Sequence, residues 1–367
     1  MSNIHSYQHV QHSFIPPYMR LKLIAEDDAE SSLLKIDLLN LSLDAEIRSR
    51  RKTYASLNQQ QKLVLAAAQL KMSLYNGNEG VAEPVREVYS ANQLETLPGV
   101  LVRSEASAPS QDTDVDNVYD YAGYIWDFYY SEFGRNSIDN GGLKLIQTVH
   151  FGENYQNAFW DGKQMIYGDG DGKIFASFTT DLDVAGHELT HGVVQYECNL
   201  QYQNQSGALN ESLADVFGIM IKQKVNNEDV KSSNWLIGEN ILIGDEYAVR
   251  SLKAPGTAYV NHPQLGTDPQ PSHMSGYTDD PYDNGGVHLN SGIPNHAFYL
   301  AAYEVGGYSW EKVGKIWYNA LCNKTLVPEN ATFEQFKIAT IKESAKLYGA
   351  DNLVTLAVTN AWNSVGV

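Results

Sequence analysis

Two histidines four residues apart, with a glutamate directly after the first, constrain this chain more than any other feature. The stretch reads Val184-Ala185-Gly186-His187-Glu188-Leu189-Thr190-His191-Gly192-Val193-Val194. A helix turns once in about 3.6 residues, so the His187 and His191 imidazoles would leave one face a turn apart and could both reach a single Zn²⁺. The small and apolar flanks suit a buried helix, expected over about residues 183–197, which is where a preorganised site is best held. A zinc that performs hydrolysis needs a third protein ligand and an open position for water. Further on, Gly207-Ala208-Leu209-Asn210-Glu211-Ser212-Leu213-Ala214-Asp215 offers two carboxylates on one helical face. Glu211 reads as the third ligand and Asp215 as the carboxylate that orients His187. The bland alternative for the first stretch alone is an amphipathic helix with capped or exposed histidines; the downstream carboxylates weigh against it.

These two blocks, together with Asp283-Asn284-Gly285-Gly286-Val287-His288-Leu289-Asn290-Ser291-Gly292, resemble the three site blocks of the thermolysin family of zinc metalloendopeptidases. A fourth block, Asn157-Ala158-Phe159-Trp160 followed by Tyr167-Gly168-Asp169-Gly170-Asp171-Gly172, is similar to that family's substrate-edge strand and the hairpin after it. The likeness runs with gaps from about residue 85 to the C-terminus. The first 75 or so residues lie outside it and resemble the short propeptide of the protealysin-like subgroup. The resemblance implies an α+β fold of two lobes, a β-rich N-terminal lobe and a helical C-terminal lobe joined by the zinc-binding helix. The expected division is a propeptide at 1–76, with its boundary anywhere in 50–84, then lobes at 77–201 and 202–367.

Zinc held by two neutral imidazoles and one carboxylate lowers the pKa of its water towards about 7. The position of Glu188 on the helix is expected to turn it away from the His187/His191 direction. It is therefore read as the general base that takes the water's proton and delivers it to the leaving amine. Asp215 would accept the free ring N–H of His187, and Asn210 would support His191 in the same way. By resemblance, Tyr202 and His288 donate to the oxyanion and Asp283 holds His288. Asn157 and the Ala158 backbone would bind the extended substrate, and Arg250 its backbone carbonyl. Phe175, Phe178, Val184, Ile237, Ile241 and Val249 fall where the pocket after the scissile bond is lined. All six are apolar, so cleavage before bulky hydrophobic residues is expected.

The family's paired calcium site is not matched throughout. Asp183 and Glu239 are present, but Lys222 replaces a bridging carboxylate and Asn234 and Leu236 fill other ligand positions. An ammonium can neutralise two acids without a metal, so the double site is expected to be lost; another calcium site is left open. The resemblance also implies a latent precursor. Phe14-Ile15-Pro16-Pro17-Tyr18 resembles the short proline-containing motif, here Pro16, Pro17 and Tyr18, with which protealysin-like propeptides block their own site. A proline directly after the would-be attacked carbonyl removes an N–H and stiffens the backbone, which suits occupying a cleft uncut.

Charge supports a docked extension. The 367 residues carry a net charge of −18, but residues 1–76 contain nine basic and seven acidic side chains. The acidic body makes nucleic acid or an anionic membrane surface an improbable partner. No stretch approaches the roughly 18–20 apolar residues of a membrane span. Met1 to His9 lacks a basic region followed by an apolar core, so a conventional secretory signal is not expected; either the protein stays inside its cell or it is released from the cytoplasm by another route, the second being expected. Expected partners are protein or peptide substrates and the chain's own propeptide, with the enzyme a monomer. Two other classes fit the residues less well. A zinc-holding pseudoenzyme would not need Glu188, His288 and Tyr202 together, and an exopeptidase would need an anchor for a substrate terminus, for which no candidate is found.

Hydrophobic periodicity predicts strands at 99–103 and 143–150 and helices at 57–75, 115–133, 209–225, 293–304, 310–322, 332–348 and 352–363. Residues 76–80 read as an exposed linker and 48–52 as a second possible cutting point, while 233–283, rich in Gly, Pro, Asp and Asn, read as loop. Gly168 to Gly172 reads as a hairpin turn, since an EF-hand's later ligands are missing. Cys198 and Cys322 read as small core residues, with pairing left open.

Overall fold

The structure, a computed structural model, describes residues 13–26, 82–244 and 247–367. The helix expected at 57–75, the linker at 76–80, the cutting point at 48–52 and the 50–84 boundary fall wholly or largely outside the described residues. The first described element is a helix, α1 (Pro17–Glu26). Proline is favoured in the first helical turn because its missing N–H has no intrahelical partner there in any case. Pro16 thus precedes the helix, and Ile15 lies outside it, as the residue before a proline is disfavoured in helical conformation.

Five strands, β1 (Arg86–Ser90), β2 (Val100–Ser104), β3 (Leu145–Val149), β4 (Ala158–Trp160) and β5 (Met165–Tyr167), form one sheet in the order β2-β1-β3-β5-β4. The pairs β1–β3 and β3–β5 are parallel, and the two outer pairs are antiparallel. The β4–β5 hairpin turns at 161–164, where Asp161 accepts the Lys163 and Gln164 N–H groups. The Gly168–Gly172 stretch is therefore not the hairpin turn. Asp171 instead accepts the N–H groups of Lys173, Ile174 and Phe175, leading the chain to an isolated bridge between Phe175 and Leu242.

Helix α2 (Thr113–Phe133) buries Val115, Val118, Ala122, Ile125, Trp126 and Tyr129 and ends on Gly134 in the left-handed conformation. Helix α3 (Leu182–Tyr196) carries the two histidines, and α4 (Asn204–Asn226) lies against it. The approach is close because glycines face each other. A Cβ on Gly186 would lie 3.1 Å from Gly218 Cα, and one on Gly218 2.7 Å from the Asp183 carbonyl oxygen. That spacing is what brings Glu211 up to the histidines.

The second lobe continues through the two-residue strands β6 (Leu236–Ile237) and β7 (Arg250–Ser251), then α5 (Val287–Asn290), α6 (Gly292–Val305), α7 (Val313–Cys322), α8 (Phe333–Tyr348) and α9 (Leu353–Ser364). The helices expected in this lobe are present, and 233–283 is mostly loop, as expected. Both cysteines are free thiols, Cys198 buried and Cys322 partly so. Among the described residues no helix is long and apolar enough to cross a membrane.

One ionic node ties the first lobe together. His150 lies between Asp169, with Nδ1 2.8 Å from Oδ1, and Asp112, with Nε2 2.9 Å from Oδ2. Asp112 is also the N-cap of α2. The Asp169 hydrogen bond, working against burial and aided by Asp112, raises the His150 pKa from its usual 6.5 to about 9. A raised imidazole pKa contributes stability that is full below about pH 6.5 and is lost as pH rises through about 9. His150→Gln on a Glu188→Ala background should therefore lower Tm by about 2 °C at pH 6, with the deficit shrinking by pH 10. A deficit that stays constant across that range in circular-dichroism melts would contradict the ionic role.

Candidate active site

The site is assembled from α3, α4, α5 and the edge strand β4. His187 and His191 are buried on α3 with their Nε2 atoms 3.1 Å apart. Glu211 on α4 closes the triangle, Oε2 being 3.4 Å from His187 Nε2 and Oε1 3.4 Å from His191 Nε2. Adjacent ligands of a tetrahedral zinc with bonds of about 2.0–2.1 Å stand about 3.3 Å apart, so this donor set fits the ion. The outer nitrogens are already engaged. His187 Nδ1 donates to Asp215 Oδ1 at 2.7 Å, and His191 Nδ1 to Asn210 Oδ1 at 2.9 Å. The Asn210 orientation is set by its Nδ2 donating to the Leu200 carbonyl. Both tautomers therefore leave an Nε2 lone pair facing the centre.

Burial opposes ionisation of Asp215, but Arg250 and His187 outweigh it and hold its carboxyl down at about 2. Arg250 Nε donates to Asp215 Oδ2 at 2.8 Å and Asn295 Nδ2 to the same oxygen at 2.9 Å. Asn295, on α6, was not foreseen; nothing in its local sequence marks it. Burial likewise opposes ionisation of Glu211, and His288, His191 and His187 together bring its pKa well below the usual carboxylate value.

Glu188 differs from expectation. It is not turned away: its Oε1 lies 4.0 Å from His187 Nε2, and His187, Glu188 and His191 form one donor cluster. The helix sends its Cβ to one side, but the side chain is long enough to reach back. Its other oxygen accepts the Trp160 N–H of β4 at 2.9 Å. Gly192 lets the strand come this close, since a Cβ there would lie 2.6 Å from Ile138 and 3.1 Å from Trp160.

His288 is positioned by the Gly285-Gly286 turn into α5. Its Nδ1 donates to Asp283 Oδ1 at 2.5 Å, while Asp283 Oδ2 accepts the backbone N–H groups of His288 and Leu289. Burial opposes the imidazolium, but Glu211 and Asp283 raise its pKa. The Tyr202 hydroxyl donates to Glu211 and stands 3.1 Å from His288 Nε2. It thus faces Glu211 as well as His288.

Residues 13–23 occupy the cleft. Phe14 N–H donates to the Ala158 carbonyl at 3.1 Å, and Ile15 N–H to Asn157 Oδ1 at 2.9 Å. Arg250 Nη1 donates to the Phe14 carbonyl at 2.9 Å, and His288 Nε2 lies 3.1 Å from the Ser13 carbonyl oxygen. The Phe14 ring meets His187 edge-on at 5.5 Å and Phe178 at 6.4 Å, and the Arg250 guanidinium lies 4.6 Å from its centre. Phe175, Phe178, Val184, Ile237, Ile241 and Val249 are all buried in the same core cluster. Ala176 bonds to Ile241 and Val249 to Ile237 through the backbone, which joins the two walls. Gly238, unremarked in the sequence, completes the floor: a Cβ there would sit 3.0 Å from the Phe14 ring.

The motif Pro16-Pro17-Tyr18 is therefore displaced from its expected register. The residue after the carbonyl that faces His288 is Phe14, with its N–H intact, not a proline. Pro16 and Pro17 lie further along, where the Pro16 carbonyl accepts from Met19 and Arg20 and Pro17 opens α1. Tyr18 is turned towards Tyr259 and Asp268, and burial raises its hydroxyl pKa well above 10. Near the N-terminus of α3, Lys222 Nζ lies 3.0 Å from Asp183 Oδ2, 2.5 Å from Glu239 Oε2 and 3.2 Å from the Leu236 carbonyl. Asn234 Nδ2 donates to the same Glu239 oxygen.

A helix-borne His-Glu-His set, a glutamate from the next helix and a peptide-shaped cleft define a metallopeptidase. Residues 50–195 match the family model described as thermolysin metallopeptidase, catalytic domain, and residues 198–367 that of its alpha-helical domain. The chain is 52% identical over 284 residues to the extracellular metalloprotease of Pectobacterium carotovorum subsp. carotovorum, covering 77% of this chain and 81% of that one. It is 43% identical over 337 residues to protease PrtS of Photorhabdus sp. (strain Az29), covering 90% of each. The precursor of protealysin, a metalloproteinase from Serratia proteamaculans, has a similar structure with a TM-score of 0.83 at 43% identity, covering 97% of this chain and 99% of that one. The chain belongs to the thermolysin family, in its protealysin-like subgroup, and is a metalloendopeptidase of two-lobed α+β fold.

Proposed function

We propose that this zinc endopeptidase cuts on the amino side of bulky hydrophobic residues and is made latent, with residues 1 to about 76 as an inhibitory propeptide removed by proteolysis. The observation that carries this reading is the seating of Ser13 to Ile15, whose backbone groups meet Ala158, Asn157, Arg250 and His288 while Phe14 fills the apolar pocket. A substrate would use the same partners. His187, His191 and Glu211 would hold zinc, which when bound supplies a Lewis acid that polarises a carbonyl and lowers the pKa of water. Asp215 and Asn210 fix the two tautomers, and Asp283 holds His288 with an N–H towards the substrate carbonyl oxygen. Glu188 takes a proton from the attacking water and returns it to the leaving amine. Tyr202 adds a second hydroxyl donor beside His288.

The 50–195 match begins inside the window proposed for the propeptide boundary. Lys222 serves in place of the calcium pair, its ammonium balancing Asp183 and Glu239. Action outside the cell, as a monomer on protein or peptide substrates, completes the reading.

Internally quenched peptides differing only after the scissile bond test the specificity. Leu and Phe should be cut at least about 100-fold faster than Asp in kcat/KM, because an acid desolvated in an apolar pocket costs about 3 kcal/mol or more. A preference for Asp or Gly would refute the pocket assignment.

A further inference from the structure

Resting on that endopeptidase reading, we infer that the chain cleaves itself in cis at the Ser13–Phe14 bond, a cut separate from removal of the extension as a whole. The segment is seated with the polarity of a substrate. The Ser13 carbonyl faces His288 Nε2 at 3.1 Å, and the next N–H, that of Phe14, donates to the edge strand at Ala158. The following carbonyl is held by Arg250 at 2.9 Å and the following N–H by Asn157 at 2.9 Å. The side chain after the bond, Phe14, is the one in the pocket, edge-on to His187.

The prolines do not protect this bond. A plug built only to resist cutting would place proline at position 14, removing the N–H and stiffening the site of attack. Here the two prolines follow at 16 and 17, where they open α1, and the nitrogen that would leave belongs to Phe14. The contacts beyond the bond hold it in register. Arg20 Nη2 donates to the Gln156 carbonyl at 2.8 Å and Lys22 Nζ to the Leu265 carbonyl at 2.6 Å, while Met19 and Leu23 are buried. Such anchoring supplies the fixed geometry that an intramolecular reaction exploits. Ser13 is 2% exposed and Phe14 fully buried, so a second protease molecule has no path to the bond while the segment is docked.

The reaction is a plain hydrolysis consuming one water. The water oxygen bonds to the Ser13 carbonyl carbon, the bond from that carbon to the Phe14 nitrogen breaks, and both water protons pass to that nitrogen, the first by way of Glu188. The products are a carboxylate on Ser13 and an ammonium on Phe14. Every anchoring contact from Phe14 onward lies on the retained side of the cut.

The test follows full-length chain purified with chelator and then loaded with zinc, using intact mass and N-terminal sequencing over time at two concentrations 100-fold apart. Species beginning at Phe14 should accumulate with the same first-order rate constant at both. The Glu188→Gln precursor should give none, even with a trace of shortened active enzyme, and Phe14→Asp should slow this cut at least about 100-fold. A blocked peptide with Phe after the scissile bond, assayed with the shortened enzyme, reports on the underlying endopeptidase reading. If that peptide is hydrolysed while no Phe14 N-terminus forms, or if one forms in the Glu188→Gln chain or at a rate that scales with concentration, cis cleavage is overturned. If the peptide is untouched as well, the endopeptidase reading falls with it.

Discussion

Glu188→Ala is expected to abolish peptide hydrolysis while the folded chain still binds one zinc ion. The expectation follows from the division of labour in the site. His187, His191 and Glu211, proposed to hold the zinc, place their facing donor atoms 3.1, 3.4 and 3.4 Å apart, while Glu188 sits beside them, held by the Trp160 N–H. Loss of a general base costs on the order of 10²–10⁴ in rate, and more if it serves in both proton transfers. His187→Ala or Glu211→Ala should instead lose the metal, which elemental analysis would show. Zinc retained in Glu211→Ala, or activity retained in a folded Glu188→Ala, would overturn these roles.

The second large effect concerns latency. Phe14→Asp should raise the activity of the intact full-length chain on a blocked peptide roughly 10²–10³-fold, towards that of the shortened enzyme. Emptying a buried phenylalanine site costs about 3–5 kcal/mol, and each 1.4 kcal/mol shifts an equilibrium about tenfold. An aspartate would further face desolvation among Phe178, Val249 and Ile237. Mass spectrometry must show the assayed chain to be uncut. If full-length wild type is already as active as the shortened enzyme, residues 13–23 do not act as a plug.

Much of this was legible because it is local. The four-residue spacing of His187 and His191, the pairing of Glu211 with Asp215, and the apolar stripe of α2 each report a helix period. What escaped depends on long-range approach. Strand β1, with Arg86 and Glu87 in a five-residue run, has little apolar alternation and is defined by pairing with β3, 59 residues further on (Arg86 with Leu145). Helix α1 hid behind its prolines, which mark a helix start as readily as an extended step. The reach of Glu188 depends on Trp160 arriving from β4, and the support of Asp215 by Asn295 on a contact between distant helices. The register of the plug could not be read from Phe14-Ile15-Pro16-Pro17-Tyr18 alone. It is fixed by the pocket, which takes the aromatic ring and thereby puts the Ser13 carbonyl at His288.

The most direct measurement is hydrolysis of an internally quenched peptide, blocked at both ends and carrying Phe after the scissile bond, by the chain freed of its N-terminal extension, with and without a zinc chelator. Blocked ends exclude an exopeptidase, and the shortened chain removes the plug. Cleavage on the amino side of Phe should occur, stop on chelation and return when stoichiometric zinc is restored. Cleavage that survives complete removal of the metal, or none by a folded, zinc-loaded chain, would contradict the assignment of His187, Glu188, His191 and Glu211 as a zinc endopeptidase centre.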